Sequence, residues 1–217
     1  HRNIHCDVLV VGAGISGILA AKNAAKNNFK TLLVDEKNEL GGSTIFENNE
    51  FNKIDNKTPS EWLKKEIEEL KNIKNLEIKT RTSVAAYHQY NYLLARENLT
   101  DHLEAKDKTN KIRQRLLKIR AKKVILATGA LERPLIFNNN DRPGIMLSSA
   151  IKKYSEFYGV ACGSKNVFFT NNDSAYESAI SLYNKGINVE AIIDIREQSE
   201  SKIVKKVKEA GIKIYWS

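Results

Sequence analysis

The stretch VLVVGAGISGILAA, residues 8–21, decides the fold of this chain, because it joins a short apolar run to a helical pattern through three glycines. The apolar residues before Gly12 are typical of a strand buried in a parallel sheet. Apolar residues then recur on one side of a predicted helix that ends near Asn28. A second apolar run, KTLLVD at residues 30–35, completes a strand–turn–helix–strand unit and predicts a βαβ crossover.

The three glycines have the spacing G-x-G-x-x-G, which alone is weakly specific. Here the motif follows a strand, opens a helix and precedes an acidic residue, Asp35, at the end of the next strand. Gly12 makes the turn, Gly14 lets the backbone approach a pyrophosphate, and Gly17 lets the helix pack close to the strand. The free N–H groups at the start of the helix favour phosphate binding. We therefore predict a dinucleotide site here, against the alternative of a glycine-rich turn without a ligand.

The acidic residues after the second strand bear on which dinucleotide is bound. Asp35 can accept hydrogen bonds from ribose hydroxyls, and a 2′-phosphate would be repelled by Asp35 and Glu36. NAD or FAD is therefore favoured over NADP, although Lys37 leaves room for a phosphate. The following LGGS, residues 40–43, allows close backbone approach beside the ligand or is an ordinary loop.

The remaining pattern predicts an α/β fold with one βαβ unit at each end. Thr58, Pro59 and Glu61 predict a capped helix start. Residues 76–121 read as an inserted β-meander of about three strands, and KKVILATGA as a further buried strand that ends in a glycine turn. A second βαβ unit and one more short helix follow Met146. We predict a dinucleotide-binding domain over residues 1–145 and the start of a second, truncated one over residues 146–217.

The turn of the second βαβ unit lacks the glycines of the first. In VFFTNNDSAYESA, residues 167–179, the turn consists of Asn171, Asn172 and Asp173. Their side chains can form Asx turns that cap a helix starting near Ser174. Asp173 also puts negative charge where a phosphate would lie. We therefore predict that the second unit does not hold NADH in the usual manner.

Composition excludes several other classes of function. The chain has 35 Lys and Arg against 26 Asp and Glu, but the excess is spread along the chain and accompanies no nucleic-acid motif. The two cysteines form no CxxC pair, and the four histidines lack metal-ligand spacing. We predict no catalytic residue, no metal, no nucleic-acid partner and no membrane partner. The chain starts at His1 and its only methionine is Met146, so we expect a piece of a longer protein. The two cysteines indicate no disulfide framework, so we expect a location in the cytoplasm.

Several stretches together resemble the α subunits of heterotetrameric sarcosine oxidases over essentially the whole chain. These are HCDVLVVGAG, VDEKNELGGS, TRTSVAAYHQYNYLLARENLTDHL, RQRLLKIRAKKVILATGALERPLIFNNNDRPGIML and VFFTNNDSAYESA. The motifs GAGISG and ATGA are shared with many dinucleotide-binding flavoproteins. NNDRPG and TNNDSAY are more specific to this subunit.

The resemblance implies a Rossmann-like fold of the glutathione-reductase type that binds NAD. It implies a complex with β, γ and δ subunits that demethylates sarcosine to glycine with oxygen, giving hydrogen peroxide and 5,10-methylenetetrahydrofolate. By the same resemblance, sarcosine would be oxidised at FAD on the β subunit, FMN would lie at the α–β interface, and tetrahydrofolate would bind a C-terminal half that this chain lacks. The glycine-free second turn would then shape the wall of the FMN site or an intersubunit surface.

Carried over by position, the resemblance also implies NAD contacts along the first turn and around it. These contacts fall on Gly12, Ala13, Gly14, Ile15, Ser16, Gly17, Asp35, Glu36, Lys37, Gly42, Ser43, Val84, Thr128 and Gly129. Asp35, Glu36 and Lys37 would lie by the adenosine ribose, Ser43 near the pyrophosphate, and Val84 at the adenine.

Three alternatives stay open at this point. In the first, the chain is the dinucleotide-binding subunit of another amine or imino-acid dehydrogenase complex, acting on an opine or proline. In the second, it is an assembly module in which NAD only stabilises the fold. Or it binds nucleic acid, which would require salt-sensitive binding to generic DNA or RNA.

Overall fold

The structure of the chain, a computed structural model, describes residues 1–47, 53–109 and 111–217. It divides into two compact units, His1–Ala130 and Leu131–Ser217. The predicted domain boundary at residue 145 falls inside the second of these units. Among the described helices, none is both long and apolar enough to cross a membrane.

The first unit is built on one six-stranded sheet. In chain order its elements are β1 (Arg2–Val11), α1 (Ile15–Lys26), β2 (Thr31–Val34), a 3₁₀ turn (Gly42–Phe46), α2 (Pro59–Lys71), β3 (Leu76–Lys79), β4 (Thr82–His88), a short 3₁₀ turn (Gln89–Asn91), β5 (Tyr92–Asn98), α3 (Ala105–Lys108) and β6 (Gln114–Leu126). The strand order is β3-β2-β1-β6-β5-β4. The first three strands and β6 run parallel, which confirms the predicted βαβ crossover and the Rossmann-like α/β class.

The antiparallel meander consists of β4, β5 and β6. The predicted meander began at Leu76, but β3 pairs parallel with β2 and belongs to the dinucleotide half. The strand pattern of β3 resembles that of its neighbours in sequence, whereas its pairing is set by α2, which returns the chain to the parallel edge.

Two stretches that the sequence pattern separates form one long strand, β6. Its first part pairs with β5, from Gln114 to Arg120, and its later part continues beside β1 up to Leu126. The prediction of a buried strand at KKVIL was wrong for its end, because Ile125 is 38% exposed and Leu126 60% exposed. The reason is that β5 stops before this part of β6, which therefore has a neighbour on only one side.

The core of the first unit lies on both faces of β1 and β2, where Leu9, Val10 and Leu33 have no exposed surface. The helix α2 begins with the predicted capping box. Its N-cap Thr58 accepts a hydrogen bond from the Glu61 backbone, and the Glu61 carboxylate accepts one from the Thr58 backbone at 3.0 Å. This helix packs Trp62 against Ile18 of α1.

The second unit contains a three-stranded parallel sheet, in the order β7-β8-β9. Its elements are α4 (Ser148–Tyr158), β7 (Asn166–Thr170), α5 (Ser174–Asn184), β8 (Val189–Asp194), α6 (Lys202–Glu209) and β9 (Lys213–Trp216). They confirm the predicted second strand–helix–strand unit and the short helix after it. Phe169, Ile193 and Tyr215 stand side by side on the more exposed face of this sheet.

Candidate dinucleotide site

The first turn needs two of its glycines for packing alone. Gly12 has φ +98°, and a Cβ there would lie 2.2 Å from the carbonyl oxygen of Ala127. A Cβ on Gly17 would lie 1.8 Å from the carbonyl oxygen of Gly12. Any side chain at either position would therefore push α1 or the end of β6 away from the turn.

Gly14 differs from the other two glycines, because a Cβ there would meet no atom within 4 Å. Its φ of −74° is open to any residue, so the fold does not require glycine here. Gly14 is the N-cap of α1, and a residue without a side chain leaves the first-turn N–H groups uncapped. The space beside Gly14 and these donors together fit a phosphate group.

The LGGS loop closes one side of the turn. The backbone N–H of Gly41 donates a 2.7 Å hydrogen bond to the carbonyl oxygen of Ala13. Gly42 has φ +59°, and a Cβ on it would lie 3.0 Å from the Cα of Gly14. Gly42 is therefore needed for close contact with the first turn, and Gly41 for its φ of +125° and its contact with Leu63, which argues against an ordinary loop.

The carboxylate of Asp35 points inward and holds the turn. Its Oδ2 accepts a 2.6 Å hydrogen bond from the Ala13 N–H, and its Oδ1 accepts one of 2.8 Å from the Lys37 N–H. The residue is only 9% exposed. Both carboxylate oxygens are thus engaged by backbone donors, so the structure gives Asp35 a part in fixing the turn as well as any contact to a ligand.

Glu36, which follows, is exposed, as are Lys37, Ser16 and Ser43. The chain bends directly after Asp35, and Glu36 faces solvent while Asp35 is buried. Glu36 is therefore the acidic group of this pair that is free to meet a ribose. The sequence pattern offered both carboxylates and gave no means of telling their directions apart.

Two further predicted contacts lie close to the turn. The Cα of Thr128 is 3.3 Å from the position a Gly12 Cβ would occupy, and Gly129 adopts φ +74° directly after it. Val84 packs on the cluster of buried residues that contains Val11 and Val34, the last residues of β1 and β2. The structure thus brings Thr128 beside the glycine turn and Val84 beside the strands that carry it.

Both cysteines of the chain are free thiols. Cys6 and Cys162 are both free, and burial is the main cause that raises the pKa of the Cys6 thiol to about 11. Cys6 therefore remains a protonated thiol at neutral pH. Within the described parts of the chain, no group of three His, Cys, Asp or Glu residues is placed to hold a metal ion.

Sequence reasoning missed a second constellation, which lies in the second unit. Asp194, at the end of β8, is 1% exposed and accepts hydrogen bonds from Tyr176 and Arg196. The only signal in the sequence was its place: like Asp35, it is an acidic residue that ends the second strand of a βαβ unit.

The chain is similar to curated proteins named sarcosine oxidase subunit alpha. It is 40% identical to that of Corynebacterium sp. (strain P-1) over 214 residues, which are 99% of this chain and 22% of the relative. It is 38% identical to that of Rhizobium meliloti (strain 1021) over 88% of this chain and 19% of the relative. The chain therefore spans about a fifth of the length of these relatives, and the predicted resemblance is confirmed over that fifth.

Solved structures show the same fold. An L-proline dehydrogenase from P. horikoshii matches 93% of this chain and 38% of its own with a TM-score of 0.72 and 26% identity. A thioredoxin reductase from T. acidophilum matches 98% of this chain and 64% of its own with a TM-score of 0.65 and 20% identity. The family model described as pyridine nucleotide-disulphide oxidoreductase matches residues 6–215. The chain belongs to the pyridine nucleotide-disulphide oxidoreductase family.

Proposed function

We propose that this chain is the NAD-binding part of the α subunit of a heterotetrameric sarcosine oxidase. The observation that supports an adenine dinucleotide in the first unit is the open position at Gly14, beside the uncapped start of α1. The similarity to sarcosine oxidase α subunits over 99% of the chain supports the choice of complex.

Different residues of the first unit contact the pyrophosphate, the ribose and the adenine of the dinucleotide. The pyrophosphate lies against the glycine turn and the loop beside it. The contacting residues are Gly12, Ala13, Gly14, Ile15, Ser16 and Gly17 of the turn, and Gly42 and Ser43 of the loop. Glu36 accepts hydrogen bonds from the ribose hydroxyls, while Asp35 holds Ala13 in place. Val84 contacts the adenine, and Thr128 and Gly129 border the same site.

The charges around the ribose position favour NAD over NADP. Glu36 puts an exposed carboxylate beside it, with the buried Asp35 next in the chain, and a 2′-phosphate would be repelled by these negative charges. Lys37 is exposed next to them and offsets part of this repulsion. When bound, NAD would supply a nicotinamide ring able to accept or donate a hydride. No residue of this chain is assigned a catalytic part in sarcosine oxidation.

The rest of the reaction belongs to the complex. We propose that β, γ and δ subunits join this chain, that FAD on the β subunit oxidises sarcosine, and that FMN lies at the α–β interface. Tetrahydrofolate would bind the remainder of the α subunit and take up the one-carbon unit. The similarity to proteins named as subunits supports partner subunits for this chain.

A second candidate is the dinucleotide-binding subunit of a proline dehydrogenase complex. It is favoured by the TM-score of 0.72 with the L-proline dehydrogenase of P. horikoshii. The two candidates share the fold of the first unit and differ in the amine that the complex oxidises.

The test is the identity of the released cofactor and of the amine. The full-length protein is purified with its partners, separated from them and denatured in acid, and the supernatant is analysed by mass spectrometry and visible absorbance. NAD bound in proportion to this chain supports the proposal, whereas FAD retained by the isolated α subunit contradicts it. Oxidation of sarcosine but not L-proline by the complex supports sarcosine oxidase, and the reverse supports the second candidate.

A further inference from the structure

The two βαβ units place equivalent residues at equivalent points, which allows them to be compared. In each, a turn of three residues separates the first strand from the helix, so Gly14 and Asp173 are both N-caps. Val11 pairs with Val34 in the first unit, whereas Thr170 pairs with Asp194 in the second. Matching Asp194 to Asp35 by this register therefore sets Tyr176 against Ile18 of α1. In both units the acidic residue that follows or ends the second strand accepts a hydrogen bond from the N–H two residues later.

In the second unit one side chain spans the distance between these points. The Nη2 of Arg196 donates to Oδ1 of Asp173 at 2.8 Å and to Oδ2 of Asp194 at 2.7 Å. Asp173 marks the helix start, where a pyrophosphate binds in a dinucleotide fold, and Asp194 marks the strand end, where a ribose binds. A single nitrogen of Arg196 thus bridges the two places that a dinucleotide would have to contact.

Tyr176 fills the space behind this bridge. Its side chain has no exposed surface, its hydroxyl donates to Oδ2 of Asp194 at 2.8 Å, and its ring stacks on Trp216. In the first unit the corresponding position is taken by Ile18, which is also fully buried but carries no polar group. The hydroxyl of Tyr176 therefore engages a carboxylate oxygen at the strand end, where a ribose would bind.

The turn itself is held by polar side chains. Oδ1 of Asn172 accepts hydrogen bonds from the N–H and the hydroxyl of Ser174 at 3.0 and 2.6 Å. The predicted Asx cap is therefore made by Asn172, while Asp173 makes no side-chain cap and turns to Arg196. The helix start has an internal acceptor in place of an external phosphate.

We propose that Arg196 and Tyr176 close the crevice of the second βαβ unit, so that this unit excludes NADH and NADPH. Arg196 is the residue that determines this specificity, because it joins both walls of the crevice. The closure does not depend on which dinucleotide the first unit binds. The exclusion of a dinucleotide then depends on side chains that substitution can remove, and not only on the absence of glycine from the turn.

The experiment uses the full-length protein and an azidoadenine analogue of NAD as a photoreactive probe. After irradiation, labelled peptides are mapped, and NADH is added to compete. We expect label on peptides of the first unit and none on peptides covering residues 166–198. NADH-competed label on residues 166–198 of the wild-type protein would overturn the proposal. Absence of label from the first unit would instead contradict the proposed function, which keeps the two results distinct.

The side-chain assignment is tested with Asp173→Gly combined with Arg196→Ala. We expect this double variant to gain competed label on residues 166–198, and a folded double variant that stays as unlabelled as wild type would overturn the role of Arg196. If near-ultraviolet circular dichroism shows that it does not fold, Asp173→Gly alone keeps the pair of Arg196 with the buried Asp194 and is expected to gain weaker label; no gain there counts against the proposal. Lys205→Ala, which removes the exposed pair with Glu200, is the matched control and should gain none.

Discussion

The backbone N–H of Ala13 donates a 2.6 Å hydrogen bond to Oδ2 of Asp35, so the end of β2 holds the turn that follows β1. Asp35 is buried and also accepts from the Lys37 N–H, whereas Glu36 beside it is exposed. The two neighbouring carboxylates therefore differ, because one is engaged within the fold and the other faces solvent.

Substitution at these two positions should separate stability from binding. Asp35→Asn leaves one backbone N–H facing an amide group, and we expect a loss of about 1–3 kcal/mol in the free energy of unfolding of the NAD-free protein. Glu36→Gln should change that free energy by less than about 0.5 kcal/mol and weaken NAD binding. Urea unfolding and NAD titration measure the two quantities. Equal effects of both variants on stability would contradict the division of roles.

Substitutions at two glycines of the first turn should also separate stability from NAD binding. Gly17→Ala places a Cβ where only 1.8 Å is available, and we expect a loss of at least about 2 kcal/mol from the displacement of α1. Gly14→Ala meets open space and should fold normally but bind NAD less tightly, because its methyl group enters the phosphate position. Thermal melts and NAD titration test this pair. Undiminished NAD binding by Gly14→Ala would show that the pyrophosphate lies elsewhere.

The second unit should lose stability in acid through Asp194. Burial raises the pKa of Asp194, but hydrogen bonds from Arg196 and Tyr176 outweigh burial and lower the pKa below its ordinary value of 3.8. A carboxyl with a lowered folded-state pKa stabilises the fold fully above its unfolded pKa and loses this contribution as the pH falls through the folded value. Asp194→Asn should therefore cost about 3 kcal/mol at neutral pH. The difference from wild type should shrink below pH 3.8, as urea unfolding at several pH values would show; a difference independent of pH would argue against this cause.

The capping box of α2 offers a test outside both turns. Thr58→Ala removes the side chain that accepts from the Glu61 N–H, and we expect a loss of about 1 kcal/mol. Ser60→Ala, two residues later in the same helix, is the control and should change stability by less than about 0.5 kcal/mol. Chemical unfolding of both variants measures the two losses in the free energy of unfolding. Equal losses would mean that they reflect helix propensity rather than the cap.

Local patterns in the sequence were enough to predict the first βαβ unit and the start of α2. The glycine spacing and the Thr58–Pro59–Glu61 signature act within a few residues, where backbone sterics and capping decide the outcome. The same holds for the second strand–helix–strand unit, whose apolar periods are clear.

What the sequence could not supply depends on contacts between distant residues. Neither the inward direction of Asp35 nor the bridge from Arg196 to Asp173 follows from spacing, because each requires the ends of two strands to meet. The parallel pairing of β3 was missed for the same reason. The meander range was set by strand-like composition, and composition does not tell parallel from antiparallel neighbours.

The long strand β6 has a consequence for synthesis of the protein. It pairs with β1 from Arg2 opposite Leu117 to Val11 opposite Leu126, so the first strand of this unit in chain order pairs with the last. Until β6 emerges, Leu9 and Val10 lack one wall of their burial site, and the dinucleotide turn lacks Ala127 behind Gly12. A nascent chain that stalls before residue 114 could pair β1 with β2 on one side but would leave its other edge without a neighbour. An incompletely covered apolar strand is the kind of surface that chaperones bind.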